Sequence, residues 1–188
     1  MKLFLSFLFV VVVSVVNASA DAGRWFVYDL RSDYSGSIEQ TSSRKLPGKY
    51  NVEVDNGAVS SDGLLNGNLT AAVPDERTRK LGFFGFLDNK KEWDFRYLSL
   101  NRARPWFYGK GRVVAEQETI TVTAGTFVVD RIERTIDGLY DNITVYWYSH
   151  DKGAIVKFHH RLTKPDGMLV REIYYELADY GLKATNGN

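Results

Sequence analysis

The chain has 188 residues, no cysteine, and 24 Lys+Arg against 23 Asp+Glu, for a formal net charge of +1. Without a basic excess the usual electrostatic case for a nucleic-acid partner fails, and without cysteine there is no disulfide framework, so core burial alone must hold the fold. A chain of this length buries a sizeable core as one domain.

Met1-Lys2, an apolar run from Leu3 to Val16 and the small-residue end Asn17-Ala18-Ser19-Ala20 read as a cleaved secretory signal over 1–20. The run is shorter than the ~20 residues of a spanning helix, and no later segment approaches that length. The expectation is an exported chain with no membrane span after cleavage, in the bacterial periplasm or outside the cell. Lys2 is the leader's one charged residue, so the mature part carries equal numbers of each sign.

Residues 24–30, Arg-Trp-Phe-Val-Tyr-Asp-Leu, read as an opening strand, and the Ser/Thr/Gly-rich 31–43 as a loop with a short strand near Ile38. Residues 49–54 and 58–60 flank Asp55-Asn56-Gly57, a hairpin signal. A further short strand over 64–73 stops at Pro74, and 74–80 is the one place where a short helix is expected. Five large apolar side chains then follow among glycines in Leu81-Gly82-Phe83-Phe84-Gly85-Phe86-Leu87, a density of Gly that no stable helix tolerates. Residues 93–98 alternate like a strand, and Asn101-Arg102-Ala103-Arg104-Pro105-Trp106-Phe107-Tyr108 is basic and aromatic.

Five further strands are predicted at 112–123, 126–136, 142–149, 154–162 and 168–180, divided by Ala124-Gly125, Asp137-Gly138, His150-Asp151-Lys152-Gly153 and Lys164-Pro165-Asp166-Gly167. Ile143, Val145 and Trp147 share one face of their strand while Asn142, Thr144, Tyr146 and Tyr148 take the other, and one of the two must be drier. Ala154, Val156, Phe158 and Leu162 oppose Lys157, His159 and Arg161, and Leu169, Ile173, Tyr175 and Leu177 oppose Glu172 and Glu176. The parity slip between Phe127/Val129 and Ile132/Ile136 predicts a bulge near Asp130. Residues 21–182 are then one β domain, with 183–188 a frayed tail.

At Val122-Thr123-Ala124-Gly125-Thr126-Phe127, followed by Trp147-Tyr148-Ser149 and Gly153-Ala154-Ile155-Val156-Lys157, the chain resembles a group of uncharacterised bacterial periplasmic domains. Their pattern is a strand ending V-x-V-P-A-G-T-F, then W-Y-[SA]-x-x-x-G-x-V; Thr123 stands where the group has Pro, and the resemblance covers 109–182. It implies a half-open antiparallel barrel of the lipoprotein-localisation-factor type with a helix or loop plugging its greasy concave face. No catalytic residue carries over with it. The physics agrees, because a single sheet with one apolar face must curl or double to bury it. The fold expected is therefore all-β: one antiparallel sheet curled into a half-open barrel with a loop or short-helix plug, the alternative being a two-sheet sandwich.

The residue types argue against chemistry. His150 lies in a turn, and His159 and His160 are neighbours on one strand with rings on opposite faces, a poor metal chelate. No Gly-x-Ser-x-Gly elbow is present. Glu116, Glu118, Glu133, Glu172 and Glu176 are expected to pair with Arg112, Arg131, Arg134 and Arg171 across the wet face instead of working as paired acids. The expectation is a protein without enzymatic activity, cofactor or metal. The aromatic surplus suggests a slot for a lipid or acyl chain lined by Phe83, Phe84, Phe86, Trp93, Trp106, Phe127, Trp147 and Phe158, with Phe83, Phe84, Phe86 and Leu87 as the plug. The alternative is an interaction or envelope-structural module that meets an envelope protein through the strip at 102–108.

Overall fold

In the computed structural model, residues 23–33, 48–55, 58–61, 74, 83–98, 106–138 and 140–183 are described. The leader at 1–20, the strand expected at 64–73 and most of the helix expected at 74–80 lie outside them. Among the described residues nine strands form: β1 (Arg24–Asp33), β2 (Gly48–Asp55), β3 (Ala58–Ser61), β4 (Glu92–Leu98), β5 (Trp106–Val122), β6 (Gly125–Ile136), β7 (Asp141–Ser149), β8 (Ala154–Thr163) and β9 (Leu169–Leu182). They make one antiparallel sheet in the order β3-β2-β1-β9-β8-β7-β6-β5-β4. Among the described residues the strands make this one sheet, in place of the two-sheet alternative. Because β3 and β4 remain edges, the sheet is curled and not closed into a barrel.

The order follows from short connections. Strands β4 to β9 run up and down as sequence neighbours, and β1 docks on β9. The link from β3 to β4 must therefore travel from one edge of the sheet to the other. Within that link Gly85–Asp88 forms a single 3₁₀ turn, and it lies on the concave face. Among the described residues no helix is long and apolar enough to cross a membrane.

Cross-strand registers set three adjacent rows on the concave face. Leu30, Tyr175, Phe158, Tyr146, Ile132 and Val113 form the first; Ile173, His160, Thr144, Arg134, Gly111 and Trp93 the second; Arg171, Leu162, Asn142, Ile136, Gly109 and Phe95 the third. The first row is a packed aromatic core: Tyr28 and Tyr175 meet edge to face at 5.2 Å, and Phe158 stacks on Tyr175 at 4.5 Å. The Tyr28 hydroxyl, buried, donates to the Ile155 carbonyl at 2.9 Å. In β7 Thr144, Tyr146, Tyr148 and the terminal Ser149 are buried, whereas Ile143 is 41% exposed. The drier face is thus that of the tyrosines, because β6 and β8 present Ile132 and Phe158 there.

Two expectations need correction. The bulge near Asp130 falls on the partner strand: register shifts between Val113 and Ala115 and between Ala115 and Glu118 put the extra residues in β5. Gln117, at φ +53°, donates its N–H to Asp130 Oδ1 at 3.0 Å across the irregularity. The second concerns the arginines. Arg112 pairs with Glu133 at 2.8 Å and Arg131 with Glu118 at 3.6 Å, as charges on a wet face do. Arg134 and Arg171 instead share the concave face with Ile132 and Ile173.

Candidate functional site

The plug forms because its backbone closes locally and its rings find the sheet. Leu87 N–H donates to the Phe84 carbonyl at 2.9 Å, Asn89 N–H to the Phe86 carbonyl at 3.0 Å, and Asn89 ends the turn in the left-handed region at φ 59°. Phe84 and Phe86 are 3% and 5% exposed. Phe86 lies 5.0 Å from the Tyr148 ring and 6.1 Å from both Tyr146 and Trp93, all ring centroid to centroid. Phe83 packs edge on to Phe95 at 5.4 Å, and the Tyr146 hydroxyl donates to the Phe83 carbonyl at 3.2 Å. Burial of three such rings against the sheet contributes several kcal/mol, at roughly 1.5–3 kcal/mol each.

Glycines seat this cluster. On β5, Gly109 faces Phe95 and Gly111 faces Trp93, so each ring occupies the space over a position with no side chain. A Cβ on Gly111 would come within 3.0 Å of Trp93 Cε2, Cζ2 and Nε1, and one on Gly85 within 3.0 Å of Trp93 Cγ, Cδ1 and Cδ2. The indole is therefore held between plug and sheet. Gly109-Lys110-Gly111 is a seat for aromatic rings.

Phe83, Phe84, Phe86 and Trp93 thus come together, with Phe158 one strand beyond Tyr146 on the same face. Phe127 is buried elsewhere: it packs at 5.8 Å from Tyr180 near the β5–β6 turn, whose Ala124 N–H reaches the Leu177 carbonyl at 3.1 Å. Trp147 is a correction, since its neighbours Tyr146 and Tyr148 point inward and its own ring must point out. There the Lys157 ammonium covers it at 4.8 Å. Trp106 pairs with Leu98 at the start of β5, and its side chain lies outside the description.

A polar cluster completes the concave face. His160, 5% exposed, accepts at Nε2 from Arg171 Nη2 at 3.0 Å; since a guanidinium only donates, Nδ1 carries the proton and donates to Thr144 Oγ1 at 3.1 Å. Burial, reinforced by the charges of Arg171 and Arg134, holds His160 down to about 3. The Arg134 guanidinium rests over the rings of Phe83, Tyr146 and Phe95 at 5.1, 5.2 and 5.5 Å. The other two histidines go to carboxylates, His150 to Asp130 at 2.9 Å and His159 to Glu172 at 2.7 Å.

This cluster was missed by assigning charged residues to the wet face. Spacing alone could have found it, because Arg134 lies two residues from both Ile132 and Ile136, and Arg171 two from Ile173.

No family model matches the chain, and no curated protein matches it. Among solved structures, a Bacteroides fragilis protein with a YmcC-like fold is similar at 12% identity, over 86% of this chain and 95% of that one, with a TM-score of 0.29. At that score nothing is carried over from it.

Proposed function

We propose that the chain is an exported, non-catalytic binding protein of the bacterial envelope that holds a hydrophobic ligand, a lipid or acyl chain, on the concave face of its sheet. The observation that carries this reading is the nature of the cover. Greasy rows of a curled sheet lie beneath one 3₁₀ turn whose grip is ring contacts and the Tyr146 hydrogen bond to the Phe83 carbonyl. Such a cover can be displaced ring by ring without breaking a strand ladder, and the rings it leaves are complementary to an acyl chain. The apolar leader and the resemblance to periplasmic half-barrels support the location. Native mass spectrometry of protein purified from its own envelope is the test, with uptake of fluorescent fatty acids. A co-purifying lipid supports the reading; repeated absence of any ligand together with no uptake defeats it.

A second reading, an interaction or envelope-structural module, draws on a different observation. Tyr28, Tyr175 and Leu177 are fully buried, so the centre of the face is filled by the protein itself, while Tyr108 on β5 is 56% exposed. Crosslinking in the native envelope separates the two: loss of a crosslinked partner on Tyr108→Ala favours the module, and an unchanged pattern opposes it.

A further inference from the structure

One end of the concave face has more hydrogen-bond donors than acceptors. Arg134 Nε, Arg171 Nε and the Tyr175 hydroxyl are all buried without a partner, and Tyr175 is fully buried. Among the described residues no carboxylate pairs with either guanidinium. The orphaned acceptor at this end, Asn142 Oδ1, bonds to none of these donors. His160 is committed to the neutral form by its bonds to Thr144 and Arg171, so it presents no competing charge.

Buried donors without acceptors are expensive, at about 1–3 kcal/mol each, and those of charged groups such as these half-buried arginines more so. The rings of Phe83, Tyr146 and Phe95 offset part of this for Arg134 but offer no lone pair to its N–H groups. An anion supplies what is lacking, since its oxygens accept from several donors at once and its charge opposes the guanidiniums. The surroundings select which anion. An aromatic wall favours a monoanion that loses its water cheaply, and a guanidinium fork matches the two oxygens of a carboxylate.

We propose that Arg134, Arg171 and the Tyr175 hydroxyl, backed by His160 and Thr144, bind the carboxylate of a fatty-acid-like amphiphile whose chain lies along the aromatic row beneath the plug. The inference rests on the reading of the concave face as a ligand site, and it names the chemical class. It extends that reading from apolar ligands in general to acidic ones.

The test titrates the mature chain with a fluorescent polyene fatty acid and with its methyl ester, which has the same chain and no charge. The acid should bind about tenfold or more tighter than the ester, as charge-assisted hydrogen bonds imply. Arg134→Gln with Arg171→Gln should abolish that preference while leaving ester binding intact, which also shows that the variant has folded. Equal binding of acid and ester by the unaltered chain overturns the carboxylate site and leaves the hydrophobic reading standing. Binding of neither overturns both. Acetate as competitor separates the two sources of a carboxylate: failure to displace the acid supports an amphiphile, and displacement as potent as by the fatty acid overturns that assignment.

Discussion

Gly111→Ala is the sharpest perturbation of this fold, because a single methyl group would meet the indole that joins plug to sheet. Its Cβ would come within 3.0 Å of Trp93 Cε2, Cζ2 and Nε1, whereas ordinary contact begins at 3.4 Å. Trp93 is 7% exposed and has Gly85 against its other atoms, so the ring cannot recede freely. Overpacking of this kind costs about 1–3 kcal/mol, slightly reduced by the gain of about 0.5 kcal/mol when Ala replaces Gly in a strand. The rescue is specific. Trp93→Leu deletes all three of the indole atoms that the new methyl would meet, Cε2, Cζ2 and Nε1, but keeps Cγ, Cδ1 and Cδ2. The indole Nε1 has no hydrogen-bond partner, so the change forfeits no bond and costs roughly 2–3 kcal/mol of burial and packing. Trp93→Leu should therefore relieve Gly111→Ala and fail to relieve Gly85→Ala. Urea unfolding followed by circular dichroism reads the free energies, with m-values unchanged across the set. An interaction energy of about 1–2 kcal/mol for the first pair is expected. Additive effects in that pair, or a neutral Gly111→Ala, would refute the account of the glycine seat.

Other consequences follow from the same face. Phe86→Ala should destabilise by about 3–5 kcal/mol in thermal or urea unfolding, and a loss below about 1 kcal/mol would mean that the plug is not packed as described. His160 is held to about 3 against an ordinary 6.5, so its neutral form is the one the fold accepts. Its contribution is complete above pH 6.5 and is lost as the pH falls toward 3, by at most about 1.4 kcal/mol per unit. His160→Gln should flatten the stability-pH curve over that window relative to the parent, and parallel curves would contradict the assignment. Burial pushes the hydroxyls of Tyr28, Tyr146 and Tyr175 up, and that of Tyr174 to about 12. In an alkaline titration of tyrosinate absorbance Tyr28, Tyr146 and Tyr175 should remain silent until the chain unfolds, and Tyr174 should ionise only near pH 12. Smooth ionisation of every tyrosine in the folded chain would show that the aromatic row is open to water.

Period-two patterning carried most of the fold. The turn clusters between β5 and β9 each supplied Gly, Pro or Asp where the backbone needed them, and at Gly125, Gly153 and Gly167 φ is +132°, +62° and +84°. Strands β1, β2, β3 and β4 were legible for the same reason, as was the Phe-Gly segment as a cover, since five large apolar side chains without a helix must be buried by something else. Alternation alone could not say which face of β7 was inward, because Thr144, Tyr146 and Tyr148 are as plausible outside as Ile143, Val145 and Trp147. That choice is made by neighbours: Ile132 on β6 and Phe158 on β8 fix the face, and Trp147 turns outward under Lys157.

The sequence by itself determined which segments are strands, since turn residues and side-chain alternation act locally. Tertiary structure decided that β1 closes onto β9, that the link between the two sheet edges lays Phe84 and Phe86 across the face, and that Arg134, His160 and Arg171 meet at one end of it. Those outcomes depend on register between strands distant in sequence. A chain read one segment at a time contains no such information, because cross-strand neighbours exist only once the sheet has curled.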